Sequence, residues 1–244
     1  MEYIKTQSFE MAVNMKGDSR AAKLAILMPG RLDTKDYINF TSHADYLAKK
    51  DYFVVAIDPP GTWESPGDLE AYTTSTYLKV VNELIDHLGN RPTLLLGHSR
   101  GGATAMLASV NPAVSALVVV NAAYGRPSAP DPEKITNGRL RESRDLPPGD
   151  TRTDEQKLFS LPLAYFEDGA KHDPRKALEQ FKGPKLVVHA NKDEFVTMDR
   201  VKKIYDNLTE PKRFLAIDST HDYRLYPEAI KSVEVALGNF LEIL

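Results

Sequence analysis

The sequence predicts an α/β fold built on a mostly parallel sheet with helices on both faces. Three observations predict it. Short continuous apolar runs recur at residues 23–28, 53–57, 93–97, 116–120 and 185–189, as expected of strands buried on both faces. Longer segments between them carry apolar residues at helical spacing, such as Tyr77, Leu78, Val81, Leu84, Ile85 and Leu88. Strand and helix then alternate almost throughout, which is the pattern of βαβ units.

Taken in order, residues 3–15 alternate loosely through Phe9, Met11, Val13 and Met15 and read as one or two edge strands. A turn follows at Lys16-Gly17-Asp18-Ser19. The run at 23–28 ends in Pro29-Gly30-Arg31, and a helix is expected over residues 37–50. The strand at 53–57 closes at Asp58-Pro59-Pro60-Gly61, and residues 74–89 form the next helix. After the strands at 93–97 and 116–120, the rhythm breaks. Residues 126–183 are rich in Pro, Arg, Asp and Glu, too long for a structureless loop. They read as a cap insertion over the strand ends, with short helices at 153–161 and 173–181 and with Leu158, Phe159, Leu163, Tyr165 and Phe166 to pack. The core resumes with the strand at 185–189, a helix at 197–208, a strand at 214–217 and an amphipathic helix at 228–243. The expected organisation is a core of residues 1–125 and 184–244 with a cap of residues 126–183.

Composition narrows the function. Of 244 residues, 42% are apolar, enough for a large core, and the net charge is −3, with 31 basic and 34 acidic residues spread along the chain. That is not the footprint of a nucleic-acid binder. There is no cysteine, hence no disulfide and no thiolate-bound zinc. The start lacks the apolar stretch of a signal peptide, and no run approaches the ~18 apolar residues of a membrane span. The expectation is a soluble, cytoplasmic protein acting on a small molecule.

The chemistry centres on Gly97-His98-Ser99-Arg100-Gly101, which follows an apolar strand and precedes a helix-forming run, Ala103-Thr104-Ala105-Met106-Leu107-Ala108. Strand, Gly-x-Ser-x-Gly turn and helix form the context of a nucleophile elbow. Glycines relieve the sharp turn, and Ser99 stands at its tip. A serine hydroxyl needs an adjacent base, and the base needs an orienting acid. Among the six histidines, His221 follows the last strand on a loop and fits the base. Asp193, on the loop leaving the strand at 185–189, fits the acid, with Glu194 a weaker substitute. His98 reads as a packed neighbour of the serine rather than the base, and His189 as a core residue. The oxyanion donors are the backbone N–H of Arg100 and that of Arg31. The Arg31 side chain is expected to pair with Asp33 or Asp36, the alternative being contact with an anionic substrate. Gly30, His98, Tyr124 and Phe195 adjoin these loops and are the substrate-contacting candidates. No two histidines have metal-ligand spacing, so no metal and no cofactor is assigned.

These residues resemble the α/β-hydrolase superfamily. Gly97-His98-Ser99-Arg100-Gly101-Gly102 is similar to its nucleophile elbow. Pro29-Gly30-Arg31 sits where the family usually carries His-Gly before its oxyanion residue. Asp58-Pro59-Pro60-Gly61-Thr62-Trp63-Glu64-Ser65 is similar to its Asp-x-x-Gly-x-Gly-x-Ser loop, and Asp193 and His221 fall where it places acid and base. The departures are Pro29 for histidine and Trp63 for glycine. Aspartate-nucleophile members such as dehalogenases and epoxide hydrolases do not match, because this elbow carries serine. The resemblance therefore implies an α/β-hydrolase fold and a serine hydrolase of the carboxylesterase or thioesterase kind. Its substrate would be a small to medium, partly polar ester or thioester. The alternatives are a non-catalytic ligand-binding protein on the same fold and an acyltransferase.

Overall fold

The structure is a computed structural model and describes residues 2–147 and 156–244. The apolar runs become the central strands of an eight-stranded sheet. In chain order the sheet strands are β1 (Glu2–Lys5), β2 (Glu10–Lys16), β3 (Lys23–Met28), β4 (Tyr52–Ile57), β5 (Thr93–His98) and β6 (Val114–Val120). β7 (Ile135–Thr136), β8 (Arg139–Asp145) and β9 (Gln156–Pro162) form a separate sheet, and β10 (Lys185–Ala190) and β11 (Lys212–Ile217) complete the large one. The large sheet runs β1-β2-β4-β3-β5-β6-β10-β11, with β1 and β2 antiparallel at one edge and every pair from β4 to β11 parallel.

Alternation along each strand divides the core in two. Leu24, Ile26 and Met28 face the side covered by α2 (Thr74–His87), α3 (Arg100–Ala108) and α6 (Met198–Asp206). Ala25 and Leu27 face the side covered by α1 (Ile38–Ala48) and α7 (Pro227–Leu241). Burial on both faces is what allows strands to read as continuous apolar runs. The parallel strands also bring their carboxyl ends, and the loops that leave them, to one edge, where open α/β sheets bind ligands. No helix among the described residues is long and apolar enough to cross a membrane.

Residues 126–183 depart from expectation by forming the three-stranded sheet β7-β8-β9 beside short helices. The helix expected at 173–181 is present as α5 (Pro174–Gln180), preceded by α4 (Ala164–Gly169). The helix expected at 153–161 is instead β9 from Gln156 onward, paired antiparallel with β8, while residues 153–155 lie outside the described chain. The physical reason is a period of two. Phe159 and Leu161 turn inward with Leu140, Tyr165 and Phe166, whereas Leu158 is 76% exposed.

The elbow determines how β5 meets α3. Ser99 takes φ 50°, ψ −115°, a backbone that an L-residue holds only under constraint. A Cβ on Gly97 would run into the carbonyl of Gly101, and a Cβ on Gly101 into the carbonyl of Met28 at the end of β3. Gly101→Ala should therefore lower stability by about 3 kcal/mol or more, read from the urea midpoint, because backbone rather than a flexible side chain must give way. A variant within about 0.5 kcal/mol of the native protein would contradict this packing.

Candidate active site

Three loops at the carboxyl edge meet over Ser99. The Ser99 hydroxyl lies 2.9 Å from His221 Nε2, and His221 Nδ1 lies 2.7 Å from Asp193 Oδ2. Asp193 also accepts the N–H groups of Phe195 (2.8 Å) and Val196 (2.9 Å) through Oδ1. Burial pushes the Asp193 carboxyl upward, but hydrogen bonding and charge at His221 and those two N–H groups outweigh it and hold the pKa below the usual range. Asp193 is thus a carboxylate that takes a proton donor from Nδ1, which leaves Nε2 as an acceptor for the serine hydroxyl. That is the arrangement in which a base can withdraw the hydroxyl proton. Glu194 does not replace Asp193: its Oε2 accepts the backbone N–H of His221 at 3.1 Å.

His98 holds this loop from behind. Its Nδ1 lies 3.2 Å from Asp33 Oδ2 and its Nε2 3.0 Å from the His221 carbonyl. Both partners are acceptors, so both ring nitrogens must donate, and the ring is an imidazolium. Burial pushes the His98 pKa down and the Asp33 pKa up, yet the hydrogen bond and charge between them prevail, raising the first and lowering the second. Asn121 Nδ2 donates to the same His221 carbonyl at 2.8 Å. The polar atoms of His98 therefore serve the His221 loop, not a ligand.

The remaining candidates surround a cavity of about 700 Å³ lined by Arg31, Ser99, Arg100, Tyr124, Phe195 and His221, among others. Arg31 and Arg100 both line it, and neither backbone N–H has an acceptor among the described residues. Gly30 lets its loop approach His98 and the Ser99 side chain closely. Phe195 is 69% exposed and stands edge-on to His221 at 4.7 Å. Tyr124 is buried, and its hydroxyl has no partner.

The Arg31 side chain pairs with Glu142 of β8 at 2.8 Å, not with Asp33 or Asp36. Asp33 is already engaged by His98, and Asp36 by Lys35 (2.7 Å) and Asn14. Arg100 was singled out for its backbone alone. Its buried guanidinium lies between the rings of Tyr72 (4.2 Å) and Tyr165 (4.1 Å). Trp63, where the family motif has glycine, keeps a left-handed φ of 45°. Its indole N–H donates to the Leu32 carbonyl at 2.8 Å. For a metal, the grouping among the described residues is Asp36, Asp58 and Glu64. The Lys35 ammonium stands within 3.3 Å of all three and fills that position with its own charge.

Fold and site together define the class. The family model described as "alpha/beta hydrolase fold" matches residues 26–143. The chain has the α/β-hydrolase fold. It is similar to the mitochondrial palmitoyl-protein thioesterase ABHD10 of Mus musculus, 20% identical over 207 residues, covering 84% of this chain and 70% of that protein. Est1E from Butyrivibrio proteoclasticus, solved with ferulic acid bound, aligns with a TM-score of 0.76 at 19% identity over 99% of this chain and 98% of that one. The α/β-hydrolase domain-containing protein 10 from mouse gives a TM-score of 0.75 at 18% identity, covering 99% and 98%. At these identities the structural likeness is one of fold.

The Asp33–His98 pair makes stability depend on pH. A lowered Asp33 pKa stabilises above its unfolded value of about 3.9, and a raised His98 pKa stabilises below its unfolded value of about 6.5. The pair's contribution is full between those values. It is lost as pH falls through the depressed Asp33 pKa or rises through the elevated His98 pKa. In urea unfolding, His98→Gln should cost about 3 kcal/mol near pH 5.5, and the gap to the native protein should narrow toward pH 9. A gap that is constant with pH would mean His98 is neutral.

Proposed function

We propose that the protein is a serine hydrolase acting on an ester or thioester of a small to medium, partly polar substrate. The observation that carries this reading is the hydrogen-bonded chain from the Ser99 hydroxyl through His221 to Asp193, opening on the cavity. In this reading His221 Nε2 takes the serine proton as Oγ attacks the acyl carbon. The oxygen of the tetrahedral intermediate is held by the N–H groups of Arg31 and Arg100, a kind of donor that contributes about 10²–10³ in rate each. The intermediate collapses, the C–O or C–S bond breaks, and His221 returns the proton to the departing alcohol or thiol. Water then loses a proton to His221 and attacks the acyl-enzyme, and Ser99 leaves with that proton restored. The steps need no group beyond the chain and water.

The cavity supports a substrate of modest size, since about 700 Å³ lies within the usual span of small-molecule sites. A thioesterase among the relatives and a ferulic-acid-bound structure among the neighbours fit an ester or thioester bond.

A fluorophosphonate probe together with a panel of p-nitrophenyl esters and thioesters tests the reading. The native protein should label and turn over. Ser99→Ala should abolish labelling, and Ser99→Ala, His221→Ala and Asp193→Asn should each lower kcat by about 10⁴-fold. Folded native protein that neither labels nor hydrolyses any ester would overturn it in favour of a ligand-binding role on this fold.

A further inference from the structure

The Ser99 cavity is cationic in a protein of net charge −3. Five arginines line it: Arg31, Arg100, Arg126, Arg144 and Arg200. Three acids face them, and each is engaged. Asp33 is held by His98 and Arg144, Glu194 accepts the His221 N–H, and Asp222 lies 3.5 Å from Arg224. Arg31 is answered by Glu142, and Arg144 binds the Arg31 carbonyl as well as Asp33. Arg126 and Arg200 have no such answer: neither forms an ion pair or hydrogen bond among the described residues.

Position argues that this is more than an ordinary exposed surface. Arg200 sits in the first turn of α6, where the helix dipole favours an acid. Arg126 and Arg200 are both exposed residues of the cavity lining. Arg200 Nη2 would lie 3.3 Å from a Cβ on Gly125, so the guanidinium rests over the residue next to Arg126. The residue before Gly125 is Tyr124, whose buried hydroxyl also lacks a partner. On the cavity wall, then, the two arginines and the Tyr124 hydroxyl lack partners among the described residues, while each of the three acids has a cationic or N–H partner. A concave, cationic wall concentrates anions and orients them by charge. Arginine guanidinium groups suit the oxygens of a carboxylate or phosphate.

We propose that Arg126 and Arg200 form a subsite for an anionic group, a carboxylate or a phosphate, carried by the substrate hydrolysed at Ser99. The proposal rests on the hydrolase reading and adds a substrate class to it. The anion can belong to the acyl part or to the leaving group, and two matched pairs separate these sources. One compares p-nitrophenyl hydrogen glutarate with neutral p-nitrophenyl pentanoate. The other compares an acyl thioester of coenzyme A with the N-acetylcysteamine thioester of the same acid.

In at least one pair the native enzyme should favour the charged member by tenfold or more in kcat/KM, and added salt should erode the preference. Arg126→Gln/Arg200→Gln should bring that ratio down by at least tenfold. A ratio near one in both pairs, or a preference that survives in the double variant, would overturn the subsite. If the native protein hydrolyses no member of either pair, the hydrolase reading has failed, and calorimetric titration with glutarate and inorganic phosphate decides the subsite by itself. Binding that the double variant loses upholds it; equal binding, or none, rejects it.

Discussion

The close approach of the elbow to the end of β3 is the constraint on which the site depends. Gly101 lies against the Met28 carbonyl with no room for a side chain. The contact fixes α3 against the sheet and holds Ser99 in its strained backbone. It also places Pro29-Gly30-Arg31, the continuation of β3, beside the serine. Nucleophile and expected oxyanion donors are thus set by one piece of backbone packing, which side-chain substitutions elsewhere would disturb little. The remaining N–H and carbonyl of Ser99 are taken as well. Its N–H donates to Val120, and its carbonyl accepts from Ala103 and Ala123. Strain at one residue persists because the surroundings over-determine it.

Position alone does not orient a base, and His221 sits on a loop. Three side chains grip its backbone: Glu194 at the N–H, and His98 and Asn121 at the carbonyl. The His98 grip is costly, because it buries an ion pair, and a buried pair is weak evidence for stability as such. What it secures here is geometry. An imidazolium directly behind the His221 ring, 5.0 Å between centroids, also places positive charge near the base. Asp193 opposes that charge from the other side, 2.7 Å from Nδ1.

Much of this was legible because the signals were local and periodic. Doubly buried strands read as apolar runs, and the elbow reads as glycine, serine and glycine between a strand and a helix. The edge strands of residues 3–15 appear as β1 and β2, and the amphipathic closing helix as α7. The insertion was less legible. Its strand β8 contains one apolar residue, Leu140, among Arg139, Arg141, Glu142, Ser143, Arg144 and Asp145, and such a segment carries no hydrophobic period to read. The sequence reads its partner β9 as a helix and Leu158 as a packing residue, whereas strand alternation turns Leu158 to solvent. The second role of His98 was hidden for another reason. That a histidine beside the nucleophile donates from both nitrogens follows only from the two acceptors that tertiary structure brings to it.

The charged strand that the sequence obscured is tied directly to the site. Arg144 of β8 donates to the Arg31 carbonyl through Nε (3.0 Å) and Nη2 (2.9 Å) and reaches Asp33 at 3.5 Å. Glu142 of the same strand holds the Arg31 side chain. Arg31 is therefore gripped at its carbonyl and at its guanidinium, while its N–H has no acceptor among the described residues. The same strand reaches the His98 network through Asp33. A strand composed almost wholly of charged residues contributes little to a hydrophobic core. Placed here, it braces the loop that carries one expected oxyanion donor and the acid that keeps His98 charged. That coupling supplies a physical reason for charge in β8 where apolar residues would have made the better strand.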